Sequence, residues 1–525
     1  MDRSDDLMTQ SLNYSIPRVV IAGLKGGSGK TILSLGLIAS YRQKGLNIIP
    51  FKKGPDYIDA GWLACAAGFP CYNLDAFLIG KDRILSSFVE HFCETPLPPP
   101  PLPQGEGESL KIPSPSRGEG KGGDEFHCAF IEGNRGLFDG MDSEGRYSTA
   151  ELAKILNAPI ILTIDCTKMT RTAAIIAAGI HKFDPALKIS GIVLNQIANK
   201  RHEKVIRESF EKYCQVPVLG AIPRLSEEFF PERHMGLTPY HEHKEVENAI
   251  SAIAEIAQRY LNLDAIWKIA NEAPPLEVQS SKFKVQSYKN SSLLTPHSSL
   301  RIGVIKDSAF QFYYPENLEE LQKRGVTLIE ISALKEKQIP EIDALYIGGG
   351  FPETHAIALA ENIDFRNNLR KVVENGLPAY AECGGLMYLG ESLVLDDRTY
   401  PMTGVFPVKF CLEKKPQAHG YTIVEVNKPN PYYSVGTLLR GHEFHYSRVL
   451  NTNVAADILS LSKDIYFAFK MNRGQGIVDK MDGICYKNVL ATYTHLHALG
   501  AGEWVDGIIN MAGSYKRYRK SKELI

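Results

Sequence analysis

Two separate groups of residues in this chain have the types and spacing of reaction centres. The first is Gly23-Leu24-Lys25-Gly26-Gly27-Ser28-Gly29-Lys30-Thr31, which follows the apolar run Arg18–Ala22 and precedes a helix-like segment, Ile32 to Gln43. A strand, a glycine-rich turn and a helix start make a cradle for phosphate, because glycine lets main-chain N–H groups close around the oxygens and the helix end favours negative charge. Gly26, Gly27, Ser28 and Gly29 would line an ATP site, Lys30 would reach the terminal phosphates and Thr31 would hold Mg²⁺. The spacing departs from G-x4-G-K-[ST]: Leu24 stands at the first glycine position and Gly23 lies one residue earlier. The second group is centred on Ala379-Tyr-Ala-Glu-Cys383-Gly384-Gly385-Leu-Met387. A strand running into paired glycines and then a helix lifts Cys383 onto a sharp elbow, where the helix end would lower the thiol pKa and Gly384 would offer an oxyanion donor. Gly349 and Gly350, after the strand Ala344–Ile347, would supply a second donor, and His495, after another apolar strand, a base. Nucleophile, base and oxyanion donors together are the parts of acyl transfer.

Carboxylates for the first centre must come from other strand ends of the same sheet. Leu46–Phe51 reads as a buried strand leading into Lys52-Lys53-Gly54-Pro55-Asp56-Tyr57-Ile58-Asp59, where Asp56 is a candidate Mg²⁺ ligand and Lys53 would face a phosphate or a substrate carboxylate. His127–Glu132 is a further strand, and its terminal Glu132 is the leading second Mg²⁺ ligand, because the ion needs oxygens opposite the phosphates. Asp139, in the adjoining loop, joins Lys53 and Asp56 as a group facing substrate or phosphate. Strands at Pro159–Asp165 and Ile189–Asn195 alternate with helical segments, which predicts a doubly wound parallel sheet. Asn195, at a strand end, would bond the adenine edge. After the helix Glu245–Leu261 a stretch rich in Ser, Lys, Pro and Gln reads as a linker, and a second α/β pattern begins at Arg301. The predicted domains are 16–265, with a disordered Pro/Gly-rich insertion at 95–124, a linker at 266–299, a second domain at 300–506 and a solvated basic tail at 507–525.

Composition narrows the partners. The 525 residues carry 59 Lys and Arg against 60 Asp and Glu, a formal charge of −1, which argues against a dedicated nucleic-acid binder. No long apolar run predicts a membrane span, and the polar N-terminus lacks a signal-peptide apolar region, so a cytoplasmic location is expected. The nine cysteines form no C-x-x-C pairs, as expected of reduced thiols rather than of a disulfide frame or zinc site.

At this point the chain resembles the cobyrinic acid a,c-diamide synthase family, glutamine-dependent amide synthetases of the corrinoid pathway. The segments that carry the resemblance are Gly54-Pro-Asp-Tyr-Ile-Asp59, Glu132-Gly with Gly136-Leu-Phe-Asp-Gly140, Pro231-Glu-Arg-His-Met-Gly-Leu237, Gly441-His-Glu-Phe-His-Tyr446 and Thr494-His-Leu-His497. The resemblance implies a synthetase domain similar to dethiobiotin synthetase, a class I glutamine amidotransferase domain, Cys383 as nucleophile and His495 as the residue that activates it. It further implies ATP, glutamine and a polycarboxylic corrinoid macrocycle as small-molecule partners, with Mg²⁺, and no nucleic acid or membrane. One departure is visible: the His-x-Glu usual in such glutaminases is His495-x-His497 here, which leaves the third triad member open, with Glu443 as a candidate. Hydrogenobyrinic acid, nickel-sirohydrochlorin and the cobyric acid synthase reaction are the neighbouring enzymatic readings. The loop also resembles partition-type ATPase switches, in which Lys25 would act across a homodimer, but that reading leaves Cys383 and His495 unexplained.

Overall fold

The computed structural model describes residues 11–95, 126–225, 232–233, 236–237, 246–279, 300–450 and 464–523. The chain forms two compact units, 1–76 with 81–285, and 77–80 with 286–525. Beyond Thr95, the insertion predicted at 95–124 lies outside the described residues, as does most of Pro231–Leu237, where only the short ladder between Glu232–Arg233 and Gly236–Leu237 is described.

The first unit is built on a seven-stranded sheet. After β1 (Ser11–Tyr14), its strands are β2 (Arg18–Gly23), β3 (Ile48–Lys52), β4 (Tyr72–Asn73), β5 (Cys128–Glu132), β6 (Ile160–Asp165), β7 (Ile189–Ile197) and β8 (Val218–Pro223). They lie in the order β4-β3-β5-β2-β6-β7-β8, and every pairing is parallel. Helices cover the faces, so these strands read as largely apolar runs, with Lys52, Glu132 and Asp165 at C-terminal ends. α1 (Lys30–Gln43) starts directly after the glycine loop, and α2 (Ile58–Ala67) buries Trp62, Leu63 and Ala66 in the same core as Val19, Ile21 and Phe130.

The predicted linker is overturned over its first part. α3 (Val246–Tyr260) is followed by α4 (Leu263–Asn271), whose Leu263, Ile266 and Ala270 form one buried face. Asn262 caps α4 by accepting from the Ala265 N–H at 3.1 Å, and Tyr41 donates to the Leu263 carbonyl at 2.8 Å. β9 (Leu276–Gln279) then pairs antiparallel with β1, ahead of the predicted domain start at 16. Between them the fully buried Arg18 guanidinium donates to the carbonyls of Ile16, Leu156, Asn157 and Pro274, the last at 2.6 Å. A polar average over the stretch hides the i, i+3, i+7 apolar spacing that makes α4 a packed helix.

The second unit carries a ten-stranded mixed sheet. Its strands, with two short extra ones, are β10 (Arg301–Ile305), β11 (Phe310–Phe312), β12 (Thr327–Ile331), β13 (Ala344–Ile347), β14 (Gly349–Gly350), β15 (Ala379–Glu382), β16 (Ala418–Val426), β17 (Leu438–His445), β18 (Ile465–Arg473), β19 (Met481–Tyr486), β20 (Val489–Thr492) and β21 (His495–Leu496). The sheet order is β12-β10-β13-β15-β20-β19-β18-β16-β17-β21. The half from β12 to β20 is parallel, and from β20 onward every pairing is antiparallel. β11 and β14 pair with each other beside it. Two separate apolar cores lie on this unit, one holding Ala379, Ala381 and Phe365, the other Tyr346, Tyr380 and Trp504.

The predicted basic tail is helical over its described residues: after the short α5 (Gly384–Leu389), the second unit ends in α6 (Gly502–Glu523). Trp504, Val505, Ile508, Ile509 and Ala512 are buried, and the basic end is tied down by Arg519 to Glu341 at 2.8 Å and Lys516 to Asp343 at 3.6 Å. An Ile508→Ala substitution is expected to cost about 2–5 kcal/mol of unfolding free energy, as for a core aliphatic, whereas a solvated tail would lose under about 0.5 kcal/mol. Urea denaturation decides between them.

Candidate active sites

In the first unit the glycine loop is shaped by its own side chains and its neighbours. Gly27 and Gly29 sit at φ 71° and 91°, in the left-handed region that favours glycine. A Cβ on Gly29 would lie 2.2 Å from Asn195 Nδ2, so that position is closed to any side chain. Ser28 Oγ donates to the Lys25 carbonyl at 2.9 Å, and the Ser28 carbonyl accepts from Asn195 Nδ2 at 3.0 Å and Thr163 Oγ1 at 3.2 Å. Asn195, predicted to reach adenine, thus spends an amide hydrogen on bracing the loop. Lys30 Nζ donates to the Arg135 carbonyl at 2.8 Å and the Lys25 carbonyl at 3.4 Å, and burial holds its pKa below the usual ammonium value. Lys25 is mostly exposed and pairs with Asp165 at 3.1 Å.

The oxygen cluster beside the loop keeps Thr31 and Glu132 of the predicted set but holds Asp59, three residues beyond Asp56, and Lys52, one residue before Lys53. Thr31 Oγ1 donates towards Glu132 Oε1 at 3.0 Å and Asp59 Oδ2 at 3.3 Å. Asp59, not Asp56, therefore stands with Thr31 and Glu132. Asp56 precedes α2 and accepts from the Asp59 N–H at 3.0 Å, so it turns the chain into the helix; burial and the neighbouring Asp59 push its pKa up to about 7. Lys52, missed in favour of Lys53, is the cation of the site, at 2.5 Å from Glu132 Oε1 and 2.8 Å from Asp59 Oδ2. The register Lys52↔Glu132 between the ends of β3 and β5 would have revealed it. Lys53 turns instead to the buried Asp75 at 3.7 Å, and burial lowers its pKa. Asp139 Oδ2 accepts from the Gly136 N–H at 2.9 Å, shaping a loop whose Leu137 N–H is bonded to the Gly23 carbonyl at 2.7 Å.

The Thr31, Asp59 and Glu132 oxygens suit a hard cation. Among the described residues, the buried Glu132 Oε2 has no hydrogen-bond partner, an acceptor whose lone pairs are unspent. Burial raises the pKa of Glu132, while in Asp59 the Lys52 ammonium and hydrogen bonds outweigh burial and hold the carboxyl below its usual range. Two carboxylate oxygens and a hydroxyl beside a phosphate cradle are the oxygen donors Mg²⁺ prefers.

In the second unit Cys383 follows β15 with φ 48° and ψ −100°, the strained elbow expected for a nucleophile. Its N–H is bonded to the Thr492 carbonyl at 2.8 Å, so the elbow is stitched to the end of β20. The predicted lowering of the thiol pKa is overturned: burial, with Glu353 adding to it, pushes the thiol up. α5 has only six residues, too little dipole to offset removal from water. Gly384, Gly349 and Gly350 come together, since a Cβ on Gly384 would sit 2.9 Å from the Gly350 nitrogen and one on Gly349 would strike the His495 ring at 2.6 Å. The backbone approach that an oxyanion pocket needs is present.

His495 lies just beyond β20 and is fully buried. Its Nδ1 is 3.2 Å from Glu382 Oε2, and its ring stacks on His442 at 4.9 Å. Asp482 anchors the preceding turn, accepting from Thr492 Oγ1 at 2.7 Å and the Tyr493 N–H at 3.0 Å. Glu443, the candidate third member, is committed elsewhere: it accepts from the N–H groups of Gln475 at 2.5 Å and Gly476 at 3.0 Å. His497, at the position where a glutamate is usual, faces Glu316 at 3.6 Å. Glu382 carried no signal of its own in the sequence, being the residue before the nucleophile.

Gly29→Ala is expected to weaken ATP binding roughly tenfold or more, since strain of 1–3 kcal/mol must be met by loop rearrangement. Calorimetric titration with ATP measures it. Asp59→Asn is expected to raise the Mg²⁺ concentration for half-maximal ATP turnover more than Asp56→Asn does, read from Mg²⁺ titrations of the two variants.

Family models match a stretch in each of the two units. Residues 19–237 match the CobQ/CobB/MinD/ParA nucleotide binding domain and residues 301–502 the CobB/CobQ-like glutamine amidotransferase domain. A cobyrinate a,c-diamide synthase of Magnetococcus marinus is 38% identical over 94% of this chain and 96% of its own length. One of Archaeoglobus fulgidus is 37% identical over 93% and 96%, and one of Listeria innocua 34% over 91% and 96%. The chain belongs to the cobyrinate a,c-diamide synthase family, glutamine-dependent carbon–nitrogen ligases of cobalamin biosynthesis.

Proposed function

We propose that the protein converts the a and c side-chain carboxylates of cobyrinic acid to primary amides, with ATP to activate each carboxylate and glutamine to supply the nitrogen. The observation that carries this is the presence in one chain of a phosphate loop facing Thr31, Asp59 and Glu132 and of a cysteine elbow beside a histidine–glutamate pair.

A carboxylate does not condense with ammonia unaided, because oxide is the leaving group. Attack of a carboxylate oxygen on the terminal phosphorus of ATP gives an acyl phosphate and ADP; ammonia then adds to the acyl carbon and inorganic phosphate leaves. The protein's part is positioning and charge neutralisation. Lys30, on the first turn of α1, meets the terminal phosphates in this reading. Lys52 neutralises Glu132 and Asp59 and keeps their oxygens aimed at one point. Thr31, Asp59 and Glu132 would hold Mg²⁺, which when bound neutralises phosphate charge.

Ammonium at neutral pH is a poor nucleophile, so the nitrogen is better delivered as ammonia made on the enzyme. Cys383 Sγ attacks the glutamine side-chain carbonyl while His495 takes the thiol proton; the C–N bond breaks as His495 returns the proton to the leaving nitrogen. Water then cleaves the thioester to glutamate. The raised thiol pKa supports a concerted transfer rather than a standing thiolate.

Cys383→Ala is expected to cut glutamine-supported amidation by at least about 10³-fold and to leave amidation driven by ammonium salts; loss of both would sink the two-site reading. Lys30→Ala is expected to stop amidation with either nitrogen source while glutamine hydrolysis persists. Mass spectrometry of the product identifies the substrate. Two amides gained by cobyrinic acid support the reading, and four gained by a diamide, or turnover only of a nickel or metal-free macrocycle, would replace it.

A further inference from the structure

We propose that Glu382, the residue immediately before the nucleophile, is the positioning carboxylate of His495 in glutamine hydrolysis. The inference rests on the roles of Cys383 and His495 given above and extends them to the acid that the His495-x-His497 spacing leaves unassigned.

Glu382 is the last residue of β15, and its register partner in β20 is Thr492, three residues before His495. Along a strand, side chains alternate between faces, so Glu382 shares a face with Tyr380 and leaves Ala381 on the other. The elbow at Cys383, with its positive φ, breaks this alternation at the point where nucleophile and carboxylate must serve one imidazole from different directions. Glu382 is buried to 1% exposure. Its carboxylate is met by three groups: His495 Nδ1 at 3.2 Å and Tyr346 Oη at 3.2 Å on Oε2, and the Leu496 N–H at 3.3 Å on Oε1. The last bond ties the carboxylate to the main chain of the residue after His495, so ring and acid keep their alignment.

The consequence is chemical. With Nδ1–H donated to Glu382, His495 holds its proton on Nδ1, and the lone pair of a neutral imidazole is then on Nε2, the nitrogen that takes the thiol proton in the reaction proposed above. When Nε2 takes the Cys383 proton, the imidazolium faces a fixed negative charge across the Nδ1 bond, and that charge lowers the energy of the step in which the C–N bond of glutamine breaks. The other rings around His495 do not fill this office. His442, stacked on it, is held neutral because burial depresses its pKa, and His497 is turned to Glu316. Glu443, on the neighbouring β17, is occupied by Gln475 and Gly476.

An isosteric amide separates this role from a structural one. In Glu382→Gln, an NH₂ group placed at the Oε1 position would oppose the Leu496 N–H donor, so the amide puts its oxygen there and its NH₂ at the Oε2 position. There it donates to His495 Nδ1 and forces the proton onto Nε2, which is the wrong tautomer for a base. The expected result is a fall of roughly 10²–10³-fold in glutamine-supported kcat, with the glutamine KM within about threefold and ammonium-supported amidation within about twofold of the parent protein. Tyr346→Phe removes a hydrogen bond from the same oxygen without touching the tautomer, and its glutamine-supported kcat is expected to fall by less than about fivefold. A Glu382→Gln protein that keeps glutamine turnover within about threefold overturns the proposal, as does one that loses ammonium-supported activity in parallel or matches Tyr346→Phe. Cys383→Ala measured alongside keeps the two claims apart: if it still uses glutamine, the underlying reading fails whatever Glu382→Gln does.

Discussion

The ion pair between Lys52 and Glu132 fixes the chemistry of the first unit. The two groups meet at 2.5 Å with 2% and 1% of their side chains exposed, so neither charge is solvated and each depends on the other. Removing two charges from water costs more than their attraction returns unless other groups share the load. Here Asp59 supplies a second anion to Lys52 at 2.8 Å, and Thr31 donates a hydrogen bond to Glu132 at 3.0 Å. The cluster thereby links the ends of β3 and β5 to the first turns of α1 and α2. Deleting Lys52 would strand two carboxylates in the interior; deleting Glu132 would release both Thr31 and Lys52. The loop and its oxygen ligands are therefore one structural unit.

The second unit solves a similar problem in a similar place. Glu382 ends a parallel strand as Glu132 does, is as deeply buried, and is satisfied by a base carried at the end of the adjacent parallel strand. In both sheets the interior strands are covered on both faces, so polar chemistry is confined to the C-terminal edge. A carboxylate there survives only with a partner from the neighbouring strand. In one unit that partner is a lysine; in the other it is a histidine.

This constraint explains which residues could be read from the sequence. Apolar runs located β2, β5, β13 and β15 to within a residue or two; the glycine loop follows β2, Glu132 ends β5 and Cys383 follows β15. What could not be read is register. Lys52 and Lys53 are adjacent, Asp56 and Asp59 are three residues apart, and only the pairing of β3 with β5 shows which lysine faces Glu132. Glu382 needed the pairing of β15 with β20. Averaged composition misled at 266–279 and 507–523, where buried positions at helical spacing are outnumbered by polar ones on the exposed faces. The antiparallel half of the second sheet likewise gave no helix–strand alternation to follow.

Burial of Cys383 ties these threads together. A helix end of six residues does not compensate for taking a thiolate out of water, and Glu353 opposes the charge further. Burial thus favours the protonated thiol, and in the proposed reaction attack on an amide requires that proton to leave as the bond forms. The rate of such a step depends on the base being in one tautomer and one orientation. An imidazole free to rotate, or protonated on the wrong nitrogen, would meet the thiol with a hydrogen instead of a lone pair. The strain at the elbow, the closeness of Gly349 to the imidazole and the three bonds on Glu382 all restrict the same few atoms. On the roles proposed for Cys383 and His495, the reactivity of the cysteine is set by how its histidine is held more than by its own surroundings.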